Sequence, residues 1–165
     1  MKKILIPLSI LLIAAIAVLA YWYFTPKQVH YHAGFKVWVD GTQQDYSNPQ
    51  YMSLIPCGAP HNPKLEQLEK AHLHDQVGDV VHIHRSNALW ADLFKNIHIS
   101  FGNKPIEAYV NGKKVDDLMS SKPQAYDSVI ILVGKHGDAK KYLSQAVKKN
   151  HIMEVEKKSE LCGKD

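Results

Sequence analysis

Residues 72–85, HLHDQVGDVVHIHR, decide how this chain is read. They hold two His-x-His doublets, His72/His74 and His82/His84, on either side of a turn-forming stretch. In a strand, alternate side chains leave the same face, so both rings of a doublet stand together. A three-residue loop at Val77, Gly78 and Asp79 would close a hairpin in which His74 faces His82 and His72 faces His84. Opposed residues have Cβ atoms about 4.5–5.5 Å apart. Four imidazoles then form a block on one face, while Leu73, Val81 and Ile83 supply core on the other. A register slip of one residue would send the doublets to opposite faces.

Working outward, a third doublet, His30/His32, lies in Val29–Val39. Tyr31, Ala33, Phe35, Val37 and Val39 alternate there with His30, His32, Lys36 and Trp38, the pattern of a half-buried strand. Asp40-Gly41 is a hairpin turn with Thr42–Tyr46 returning. Residues 47–63 carry four prolines and are expected to be loop. Lys64–Lys70 suggests one or two helical turns. Ser86 or Asn87 is placed to cap a helix through Leu89, Trp90, Leu93 and Phe94. Ile97–Phe101 is expected to be extended. Ile106–Val110, a turn at Asn111-Gly112 and Lys113–Val115 form a second hairpin, and Asp127–Gly134 is an apolar strand. Asp138 caps a last helix, and Lys148–Asp165 is charged and expected to fray.

Ile4–Phe24 is apolar without a charge and follows Lys2 and Lys3. Its length reaches the roughly 20 residues that cross a bilayer. Basic residues before it favour a cytoplasmic N-terminus and a C-terminal domain outside the cytoplasm, with Tyr21, Trp22, Tyr23 and Phe24 at the outer interface. The expected plan is a transmembrane anchor (or uncleaved signal) at 1–25, a His-rich domain at 26–137, and a C-terminal helix and tail at 138–165. The fold class is α+β with a single mixed sheet. Net charge is +4, half of it from Lys2 and Lys3. The remainder is nearly balanced, which argues against nucleic acid as a partner. Cys57 and Cys162 are expected to pair in an oxidising compartment.

Segments 88–95 (ALWADLFK), 107–115 (EAYVNGKKV) and 126–133 (YDSVIILV) resemble the ubiquitin-like β-grasp pattern, in which a helix crosses a mixed sheet. Segments 30–41 (HYHAGFKVWVDG), 45–52 (DYSNPQYM) and 72–85 resemble a group of small membrane-anchored bacterial proteins of unknown function. The second resemblance implies a shared design and names no reaction.

The chain has 10 histidines in 165 residues. Neutral imidazole is the commonest metal ligand. Paired histidines also occur as plain polar residues, but metal sites collect ligands from several elements, as three doublets would allow. The candidate ligands are His72, His74, His82 and His84, with His30 and His32 joining from the neighbouring strand. Because four rings on a flat hairpin cannot all aim at one ion, two or three of them plus His30 or His32 make the expected shell. Asp75 could bind or orient a ring. An all-nitrogen set suits Zn, Cu or Ni alike.

Other readings are weaker. Cys57 and His61 have a spacing found in copper loops, without the methionine that should follow. His98, His136 and His151 are expected to be surface residues. The His-x-His of cupins is followed by a Glu, absent after His84. No phosphate loop or catalytic triad is visible. The alternative functions are a protein-interaction module without metal, docking a partner along the edge of Val29–Val39, and a metal-dependent enzyme using Asp75, Asp79 or Glu107.

Overall fold

The longest strand, β1 (Gln28–Val39), runs through the middle of a seven-stranded mixed sheet. The structure is a computed structural model and describes residues 8–53 and 62–158. On one side β1 pairs antiparallel with β4 (Val80–Arg85), and β3 (Ala71–His72) lies beyond it. On the other side β1 runs parallel to β7 (Ser128–Val133), followed by β5 (Ile106–Val110) and β6 (Lys113–Val115). The two-residue β2 (Thr42–Gln43) folds back on the end of β1. The fold is α+β with one mixed sheet, as expected.

Strand alternation sets the two faces. Ala33, Phe35 and Val37 of β1 join Val81, Ile83, Val129, Ile131 and Val133 in the main core. Helix α3 (Trp90–Asn96) covers this face with Trp90, Leu93 and Phe94. The ring of Phe35 lies 6.3 Å from Trp90 and 6.0 Å from Phe94. Full burial of each such side chain contributes about 1.5–3 kcal/mol. The start of α3 differs from expectation: neither Ser86 nor Asn87 caps it. Instead the Asp92 carboxylate reaches back to accept the Leu89 N–H at 2.9 Å. That bond satisfies one of the orphan donors of a helix start.

The second face is covered in parts. At one end Trp38, Ile130 and Leu132 pack under Tyr142 of α4 (Ala139–Leu143). In the middle, Val80 packs against Val147 and against Ile152 and Val155 of α5 (Lys149–Lys158). Gly34 makes this possible, because a Cβ there would lie 2.6 Å from Val147 Cβ and 3.1 Å from Ile152 Cδ1. At the other end the face carries histidines.

Several expectations are corrected. The tail does not fray through 149–158: Ile152 is 0% exposed, anchored by its apolar contacts. Ile97–Phe101 forms no strand, since Ile97 closes α3 and His98 turns the chain at φ 58°. The return strand after Asp40-Gly41 is two residues rather than five. Both Asn/Asp-Gly turns do form, with positive φ at Asp40, Gly41, Asn111 and Gly112, the geometry that matches strand twist in a two-residue hairpin. β1 is interior to the sheet, with β4 along residues 28–34 on one side and β7 along residues 34–39 on the other.

The expected membrane span over Ile4–Phe24 is not supported. Helix α1 covers Leu8–Phe24, 17 residues, or about 25 Å at 1.5 Å per residue. Residues 4–7 of that apolar run lie outside the described residues. Among the described residues no helix is long and apolar enough to cross a membrane. Cys57, His61 and Cys162 lie outside the described residues.

Candidate metal centre

Three adjacent strands bring all three doublets to one face. His32 of β1 and His72 of β3 both stand opposite His82 of β4. The hairpin register is therefore two residues from the expected one, where His74 would have faced His82. Asp75 and Gln76 both take positive φ, 58° and 57°, and the turn consumes residues that a three-residue loop would have left in the ladder. A shift of two preserves strand parity, so the rings stay on the expected face. A bulge between Gln28 and Tyr31 offsets β1 against β4 beside His30. Bulges re-aim side chains, and here the His30 ring stacks on His84 with centroids 4.8 Å apart.

Rings of His32, His72, His74 and His82 are buried, His84 is half-buried and His30 is exposed. One ring nitrogen each from His30, His82 and His84 lies within 4.8 Å of the others, and this cluster could hold a metal ion. Nitrogens around a tetrahedral zinc are about 3.3 Å apart, given bonds of about 2.0–2.1 Å. Small side-chain adjustments close that difference. His72 stacks on His84 at 5.0 Å and on His82 at 5.9 Å. His32 and His74 crowd the other edge of His82: their Nε2 atoms lie 2.7 and 2.9 Å from His82 Nδ1.

Hydrogen-bond partners set the tautomers. The Leu68 carbonyl only accepts, so His72 Nδ1 donates to it at 3.0 Å. Asp75 accepts from His74 Nδ1 at 2.6 Å. His74 Nε2 faces His82 Nδ1. His82 Nε2 is buried and has no hydrogen bond. His72 Nε2 is likewise buried without a hydrogen bond. Such atoms are uncommon in native proteins.

The local field keeps the rings of His30, His32, His72, His82 and His84 neutral. Burial, reinforced by neighbouring imidazoles, pulls His32 down to about 4 and His84 to about 3. Burial also lowers His72 to about 4, against the opposing effect of its bond to the Leu68 carbonyl. His82 is driven far below the usual histidine range by burial and then by His32, His74, His72 and His84. His30 is lowered by burial, with Glu156 opposing. Neutral imidazoles present their lone pairs at neutral pH, the form a metal ion needs.

The remaining candidates lie elsewhere. Asp79 pairs with His151 Nε2 at 3.0 Å. Glu107 pairs with Lys114 at 2.8 Å on the β5–β6 hairpin. His136 is half-buried beside the Tyr142 ring. A residue missing from the expected site is Glu156 of α5. Its Oε1 lies 3.9 Å from His32 Nδ1, and its Oε2 accepts the Tyr126 hydroxyl at 2.7 Å. Its signal was the apolar spacing of Val147, Ile152 and Val155 inside the charged tail. Comparison of the chain with protein-family models, curated proteins and solved structures gives no match.

Proposed function

We propose that this protein is a transition-metal-binding domain held at a membrane, with the ion seated on His30, His82 and His84. The observation that carries this reading is His82 Nε2, a buried nitrogen without a hydrogen bond in a ring that belongs to a three-imidazole cluster. A buried ring nitrogen left without a partner is costly, and in the tautomer that leaves its lone pair bare a divalent ion would satisfy it. The all-nitrogen set suits Zn, Cu or Ni. His30, exposed at the rim, gives the ion a route to water and fits sensing, sequestration or delivery.

Membrane attachment rests on α1. Leu12, Ile13, Leu19 and Trp22 are 61–74% exposed on an uncharged helix. A helix apolar all round needs apolar cover. We place the sheet domain outside the cytoplasm because Lys2 and Lys3 precede the apolar run. The parallel β1–β7 pair and α3 against the sheet support a β-grasp-like scaffold.

Thermal melting of the metal-free full chain in mild detergent tests the metal reading. Zn, Cu(II) or Ni(II) at 100 times its dissociation constant would add about 2.7 kcal/mol to stability. The melting temperature should rise by several degrees with at least one of them. No rise with any of the three contradicts the reading. Membrane attachment is tested by fractionation: recovery of the chain in the soluble fraction of lysed cells contradicts it.

A further inference from the structure

We propose that the histidine array holds two metal ions, with His82 as the ligand between them. The proposal rests on reading the cluster as a metal site. The two nitrogens of an imidazole point away from opposite edges of the ring, so one ion cannot use both. His82 has imidazole partners on two sides. Its Nδ1 faces His32 Nε2 and His74 Nε2 at 2.7 and 2.9 Å. Its Nε2 is buried without a hydrogen bond, and one of its ring nitrogens lies within 4.8 Å of nitrogens of His30 and His84; we take that nitrogen to be Nε2.

The Nδ1 edge is over-subscribed. One in-plane hydrogen there must serve two ring nitrogens, whereas a cation would accept three lone pairs at once. His74 carries the outer partner that orients a metal-binding histidine, and a carboxylate stands near the outer nitrogen of His32 beyond hydrogen-bond distance. Asp75 accepts from His74 Nδ1 at 2.6 Å, and Glu156 stands 3.9 Å from His32 Nδ1. An ion needs its ligand nitrogens about 3.3 Å apart, so the rings must withdraw by about half an ångström. His74 lies beyond the end of β3, beside the turn formed by Asp75 and Gln76.

The balance is simple. One divalent ion enters at Nδ1, the proton of that nitrogen leaves to water, and His82 becomes an imidazolate bridging the two ions. No electron is transferred.

Copper(II) titration of the metal-free full chain provides the test. Copper retained after gel filtration is counted by elemental analysis, and spins are counted by electron paramagnetic resonance. Two coppers per chain are expected. The spin signal should grow over the first equivalent and fall over the second, as bridged ions couple. The double variant His30→Ala, His84→Ala changes only exposed and half-buried positions. It should keep one copper with its full spin count. Wild-type retention of one copper, or of two with undiminished spin, overturns the two-ion proposal and leaves the single-site reading standing. Retention of no copper overturns the two-ion proposal, and the single-site reading then stands or falls on the melting test with zinc and nickel.

Discussion

The two ends of one sheet face make opposite use of the same strand. Toward its C-terminal end β1 buries Trp38 beneath Tyr142, beside Ile130 and Leu132. Toward its N-terminal end it presents His30 and His32 to the histidines of β3 and β4. The first end is covered by largely apolar groups. The second buries four imidazoles, three of which have a ring nitrogen without a hydrogen bond. Buried polar groups left unsatisfied destabilise a fold. Local rules of this kind are broken at functional sites and compensated elsewhere. Here the apolar end, the α3 face and α5 supply that compensation.

Acid should separate the two ends most strongly. His32 and His72 titrate near 4 in the folded chain and near 6.5 when unfolded. The unfolded chain therefore binds more protons between those values, and stability falls as pH drops through that window. Each of the two histidines contributes a loss of up to about 1.4 kcal/mol per pH unit. Their stabilising effect is complete above pH 6.5 and lost by pH 4. Urea unfolding at pH 7, 6 and 5 measures it, and a flat profile contradicts the burial of neutral rings.

Trp38→Ala should cost about 3–5 kcal/mol at neutral pH through the cavity it leaves, while the stabilisation conferred by added metal stays unchanged. Chemical unfolding with and without zinc checks both parts. His84→Ala sharpens the contrast from the other side. It removes a half-buried ligand, so metal-free stability should move by no more than about 1 kcal/mol, yet the metal-induced rise in melting temperature should be largely lost. Glu107→Gln, on the far hairpin, breaks an ion pair with Lys114, whose side chain is mostly exposed. It should change stability by under about 1 kcal/mol, with no effect on metal binding.

Much of this arrangement was legible in the residues. Strand parity put each doublet on one face, and parity survived even though the register moved by two residues. The register itself was not legible. It depends on Asp75 and Gln76 both taking positive φ, and on Gly78 pressing against Ser47, where a Cβ would lie 2.4 Å from its backbone nitrogen. Which histidines gather was hidden for the same reason, and because the bulge beside His30 has no signature in composition. Helix α5 was missed because Ile152 and Val155 sit among lysines. Only the neighbouring Gly34, bare of a side chain in an otherwise filled strand, marks where they pack. Burial of Trp38 on the histidine face was equally unannounced, since it requires α4 above it.

The most direct test of the account is an anomalous difference map from crystals of the full chain loaded with zinc or copper. The account predicts a peak about 2.0–2.1 Å from one ring nitrogen each of His30, His82 and His84. A map in which the bound metal lies away from all three rings, or in which loaded crystals show no peak, would contradict it.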